Sequence, residues 1–75
     1  MDTLELNLAI AGKISEALKR EQKSVAWLSQ ETGISYSTTT RIVSGAARVT
    51  MGELSLIARA LKVSTGALLP KNFGE

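Results

Sequence analysis

A chain of 75 residues has room for one small domain, and with 44% hydrophobic but only 4% aromatic residues its core has to be aliphatic. It contains no cysteine and no histidine, which excludes disulfide staples and thiolate metal sites and removes the commonest general base and metal ligand. The net charge of +2 is small, but between Ser35 and Gly52 there are two arginines and no acid, so that stretch can approach phosphate without repulsion.

In chain order, the first predicted helix runs from about Thr3 to Glu21. Asp2 or Thr3 is placed to cap it, and Leu4, Leu8, Ala11, Ile14 (or Ser15) and Leu18 recur at three- and four-residue spacing. Gly12 costs about 1 kcal/mol relative to alanine there and marks either a bend or the close approach of another helix. Leu4, Leu6, Leu8 and Ile10 exceed what one face needs. The excess reads either as extra core, or as a dimer contact made by Leu4, Leu6 and Leu8 or a helix-swapped arm.

A second helix starts after Ser24, a good N-cap, and reaches about Glu31 with Val25 and Leu28 facing inward. Gly33 ends it in a position suited to positive φ. Ser35 caps a third helix, Tyr36 to Ser44, which Gly45 closes. A fourth, Met51 to Lys62, lines up Leu54, Ile57, Ala58 and Leu61, with Thr50 and Glu53 spaced as a capping box. A short turn from Ser64 to Leu69 ends at Pro70, and the tail, 70–75, is expected to fray. The whole reads as one all-α domain of five short helices over residues 1–75.

The third helix is chemically odd. Seven of the ten residues from Ser35 to Ser44 carry a hydroxyl, and short polar and β-branched residues are mediocre helix formers. Its surface therefore answers to something besides helix stability. Helical geometry buries Ile42 and either Thr39 or Thr38, leaving Tyr36, Ser37, Thr40 and Arg41 on or near the opposite face. The plain alternative is a solvated face with Arg41 in a surface ion pair with Glu31.

Two helices joined by a tight turn with glycine at its centre form a helix-turn-helix signature. In "SVAWLSQETGISYSTTTRIVSG", residues 24–45, the small Ser29 precedes Gly33 by four residues, where the helices nearly touch; Ile34 plugs the turn and Ile42 anchors the second helix. Next comes "GAARVTMGELSLIARALKVSTGALL", in which Leu54 to Val63 follow an LxxIAxAL-V pattern. In order and spacing, from about Ile14 to Leu69, the chain resembles the Cro/cI-type (lambda-repressor-like, XRE family) DNA-binding domain of phage repressors and many bacterial regulators. The resemblance implies a five-helix fold with its helix-turn-helix at about 24–44. It also shows departures: Val25 stands where the family usually has a DNA-touching glutamine, Ser29 where it has alanine, and Thr39 where it has isoleucine or valine. A family ion pair aligns with Leu18 and Val43, apolar on both sides. That exchange is coherent, because burying two charges can cost more than their pairing returns.

Carried over by position, the base-reading candidates are Tyr36, Ser37 and Arg41, with Thr40 beside them. The fork of Arg41 matches O6 and N7 of guanine, while Thr40 and Thr38 offer a methyl to thymine or a hydroxyl to phosphate. The DNA-backbone candidates are Arg48 in the loop after Gly45, Ser44 and Ala46 through backbone N–H groups, and Lys23 and Ser24 from the other side. Ser35 is an N-cap first and lies at a helix N-terminus suited to phosphate. Arg48 reads alternatively as a solvated loop charge. Trp27 occupies a usually polar, exposed position and is expected to pack on the extended first helix, or else against the sugar-phosphate backbone.

The resulting expectation is a sequence-specific double-stranded DNA-binding transcriptional regulator of phage or prophage repressor/Cro type. It would act as a homodimer on an inverted repeat with half-sites about 34 Å apart. No enzymatic activity, cofactor, metal or small-molecule substrate is expected. The N-terminus lacks the features of a signal peptide, and no apolar run approaches the roughly 20 residues that span a bilayer, so the expected location is cytoplasmic with no membrane partner. The competing expectation is a protein-interaction module of antitoxin or antirepressor type, favoured by the apolar excess from Leu4 to Ile10.

Overall fold

The computed structural model describes residues 3–70. The possible cap Asp2 and the tail beyond Pro70 lie outside the described residues. Four α-helices follow one another, α1 (Thr3–Glu21), α2 (Val25–Thr32), α3 (Tyr36–Ser44) and α4 (Met51–Leu61), and then a single 3₁₀ turn at Thr65–Leu68. The architecture is all-α with four main helices. The expected fifth helix is only this 3₁₀ turn, because Pro70 follows too soon for an α-helical ladder to develop.

Local chemistry sets the helix ends. The side chains of Ser24, Ser35 and Thr50 accept hydrogen bonds from the backbone N–H groups of Trp27, Thr38 and Glu53, and Glu53 completes the capping box by accepting from the Thr50 N–H. At the other ends, Gly33 (φ 78°) and Gly45 (φ 83°) take left-handed conformations. After α3 the Gly45 N–H donates to the Ile42 carbonyl at 3.1 Å and the Ala46 N–H to the Arg41 carbonyl at 2.8 Å, a Schellman closure. The same closure ends α1 and α4, where Gln22 (φ 57°) and Lys62 (φ 59°) adopt the left-handed conformation without being glycine. Lys62, read from the sequence as the last residue of α4, is therefore its C-cap.

The core is one aliphatic cluster. It comprises Ile10, Ile14, Ala17 and Leu18 of α1, Leu28 of α2, Ile42 of α3, all four expected residues of α4, and Leu68. Helix α3 packs against both α1 and α2, while α4 packs on α2 and carries the 3₁₀ turn. Leu18 is buried and Val43 is half-buried against the cluster, so both positions of the apolar exchange serve the core. Thr39 rather than Thr38 is the buried threonine; its hydroxyl donates to the Ser35 carbonyl at 2.8 Å.

The inward stripe of α1 differs from expectation. Ala11, Ile14 and Leu18 are buried, but Leu4 and Leu8 remain 63% and 52% exposed, and the apolar line continues instead through Ile10 to the half-buried Leu6. The first two turns of α1 have only partial cover. Leu8 nevertheless has a role within the monomer: a Cβ added to Gly45 would stand 2.7 Å from Leu8 Cδ2, so the end of α3 rests on the start of α1 through a glycine. Gly12 has no such neighbour. It is exposed within an unbroken helix and meets nothing within 4 Å, which corrects the expectation of a close approach there.

Two glycines thus respond to alanine with opposite sign. Gly12→Ala should stabilise by about 0.5–1 kcal/mol through helix propensity. Gly45→Ala should destabilise by about 1–2 kcal/mol through its left-handed backbone. Urea denaturation of the two variants checks both signs.

Candidate functional site

The turn between α2 and α3 is fastened by side-chain hydroxyls. Ser29 Oγ donates to the Ile34 carbonyl at 2.6 Å. Thr32 Oγ1 donates to the Leu28 carbonyl at 2.8 Å and accepts from the Ile34 N–H at 3.2 Å. The Ile34 side chain packs against the core. Both polar groups of the turn's middle residue are therefore held by α2, and α3 leaves the turn at a fixed angle. The sequence pointed to Gly33, Ile34 and the small size of Ser29 but not to these hydrogen bonds; the available signal was the hydroxyls of Ser29 and Thr32, four and one residues before the glycine.

On α3 the hydroxyls divide into two groups. Thr39 Oγ1 donates to the Ser35 carbonyl, Thr40 Oγ1 to the Tyr36 carbonyl at 2.8 Å, and Ser44 Oγ to the Arg41 carbonyl at 3.0 Å. Ser35 Oγ accepts from the Thr38 N–H and donates to Thr38 Oγ1, which leaves the Thr38 hydroxyl proton unspent. The hydroxyls of Tyr36 and Ser37 and the guanidinium of Arg41 have no hydrogen-bond or ionic partner among the described residues, and all three residues are exposed. Arg41 therefore makes no ion pair with Glu31. Tyr36, Ser37, Thr40 and Arg41 share the outward side of one short helix, as expected from the sequence, and three of them present unengaged polar groups.

The flanking candidates fare unevenly. Arg48 is exposed in the loop that joins α3 to α4, with no partner among the described residues. Ser24 is exposed, and its hydroxyl is engaged as the α2 cap. Ala46 corrects an expectation: its N–H is committed to the Arg41 carbonyl and is not available to an anion. Ser44 corrects the same expectation, because it lies inside α3, where backbone N–H groups serve the helix ladder. The Lys23 ammonium stands 5.1 Å from the centre of the Trp27 ring, a cation–π distance.

Trp27 itself is half-buried and lines an open cavity of about 350 Å³ with Glu21, Lys23, Glu31, Ala60, Leu61 and Lys62. The first helix thus meets this cavity at its last residue, Glu21, and α4 at Ala60 and Leu61, while the Trp27 ring packs against the core cluster. No helix among the described residues is long and apolar enough to cross a membrane.

Because Ser35 caps α3 while Ser37 bonds to nothing in the helix, the two serines should separate in a stability measurement. Ser35→Ala should cost about 1 kcal/mol and Ser37→Ala less than about 0.5 kcal/mol in chemical denaturation.

Comparison with known proteins gives this geometry a context. Residues 13–70 match the family model of the Cro/C1-type HTH DNA-binding domain. Among solved structures, the chain superimposes with a TM-score of 0.84 and 25% sequence identity on an HTH_3 family transcriptional regulator from Vibrio cholerae. That match covers 89% of this chain and 38% of the Vibrio cholerae protein. No curated protein matches in sequence.

Proposed function

The chain belongs to the Cro/C1-type helix-turn-helix DNA-binding family, and from that premise we propose that it is a transcriptional regulator whose α3 reads double-stranded DNA in the major groove. The family is a DNA-binding one and not a catalytic one. The observation that carries the reading is the outward face of α3: Tyr36, Ser37 and Arg41 hold unengaged polar groups on a helix whose attachment to α2 is rigidly bonded.

In this reading Arg41 supplies the specific contact, its fork accepted by O6 and N7 of guanine. Tyr36 and Ser37, in the first turn of α3, lie nearest the base edges. Arg48 neutralises a phosphate from the following loop. The free proton of Thr38 and the exposed N-terminal edge formed by Ser35 and Ser24 serve the backbone, where contacts fix register without reading sequence. Lys23 reaches the backbone only by leaving the face of Trp27. Two copies bind an inverted repeat in the cytoplasm, with Leu4 and Leu8 as the apolar contact between them. The same two leucines favour the second reading, a module that grips another protein.

Sequence selection from a random duplex pool, followed by binding measurements across a salt series, tests the proposal. Binding should be present at low salt and fall as salt rises. Arg41→Ala should relax the preference at one base position by about 1–3 kcal/mol, whereas Arg48→Ala should weaken all duplexes alike and reduce the salt slope by about one. Negligible DNA binding at low salt would overturn the regulator reading in favour of the protein-gripping one.

A further inference from the structure

We propose that Thr40 reads thymine through its methyl group, giving this domain a preference for the 5-methyl of that base. The inference rests on the reading that α3 enters the major groove, and it deepens that reading at one residue.

Thr40 is exposed on the outward side of α3, between the unengaged Ser37 and Arg41. A threonine at such a position has two faces: a hydroxyl that donates and accepts, and a methyl that does neither. The structure narrows the choice by spending the donor. Thr40 Oγ1 donates to the Tyr36 carbonyl at 2.8 Å, so its single proton is committed to the backbone of its own helix. What Thr40 can still offer an approaching surface is the Cγ2 methyl and the lone pairs of Oγ1, but no donor. Its neighbours differ in this respect. Ser37 keeps its hydroxyl free, Thr38 keeps a proton to donate, and Thr39 is buried. Among the three consecutive threonines, Thr40 alone combines exposure with a spent donor.

The complementary feature in DNA is specific. In the major groove only thymine among the four bases carries an apolar substituent at its edge, the C5-methyl, and threonine methyls are among the groups that meet it. Cytosine and adenine present amino donors there, which would require Thr40 to act through oxygen lone pairs instead. Burying one methyl against another is worth about a fourfold difference in affinity, equivalent to about 0.8 kcal/mol. Thr40 thus adds a modest discrimination beside the stronger one assigned to Arg41.

The test uses the duplex selected by the wild-type protein, with deoxyuridine replacing each thymidine in turn. Wild-type protein should lose about fourfold in affinity at one thymidine per half-site and little elsewhere. Thr40→Val, which keeps a methyl and removes the hydroxyl, should retain that difference. Thr40→Ser, which keeps the hydroxyl and removes the methyl, should bind the thymine and uracil duplexes equally. Thermal melting of both variants verifies that α3 is intact. Indifference of the wild-type protein to every uracil replacement, or a thymine preference that survives Thr40→Ser, overturns the proposal. So does loss of the preference in Thr40→Val with its melting unchanged, which would assign the contact to the hydroxyl oxygen. Sequence-selective binding with any of these results removes only the role of Thr40, whereas absence of duplex binding at low salt removes the DNA reading as a whole.

Discussion

The hydrogen bond from the Ser29 hydroxyl to the Ile34 carbonyl, 2.6 Å long, is the contact on which the geometry of the candidate site depends. A tight turn between two helices has to dispose of backbone polar groups that neither helix satisfies. Here α2 reaches forward with two side chains and takes both polar groups of Ile34, one through Ser29 and the other through Thr32. Gly33 supplies the left-handed bend, the Ile34 side chain enters the core, and the direction of α3 follows. The outward face of α3 is then a rigid extension of the bundle.

That arrangement divides labour along α3. Ile42 and Thr39 attach the helix, Ser35 begins it and the closure at Gly45 ends it. The polar groups assigned to base reading contribute nothing to those tasks: Tyr36, Ser37 and Arg41 carry no internal bond through their polar ends. The helix is therefore held from one side and available from the other. The burial of Gly45 beneath Leu8 adds a second attachment, binding the end of α3 to the start of α1.

Much of this was legible in the sequence because the signals were local. Caps at Ser24, Ser35 and Thr50, glycines at the ends of α2 and α3, and the aliphatic face of α4 each depend on a few neighbouring residues, and all are found where the pattern put them. The face of α1 was misread because periodicity shows which residues share a side without showing how much of the bundle lies against them. Leu4 and Leu8 continue a regular stripe that the rest of the molecule does not cover fully. The left-handed residues Gln22 and Lys62 left no trace, since neither is a residue that favours that conformation. Hydrogen bonding was the least legible layer. Whether Ala46 offers its N–H outward, or Thr40 its hydroxyl, is decided by acceptors four or five residues away whose occupancy composition does not reveal.

The internally bonded hydroxyls of α3 also bear on dehydration. A polar surface that docks against another molecule must shed water, and each group left without a new partner then costs about 1–3 kcal/mol. Ser35, Thr39, Thr40 and Ser44 have already placed their protons on acceptors of the same chain. They can be stripped of solvent without stranding a donor. A helix rich in serine and threonine, which by composition looks expensive to dry, carries only a small number of side-chain groups that demand replacement partners: the Thr38 proton and the polar ends of Tyr36, Ser37 and Arg41.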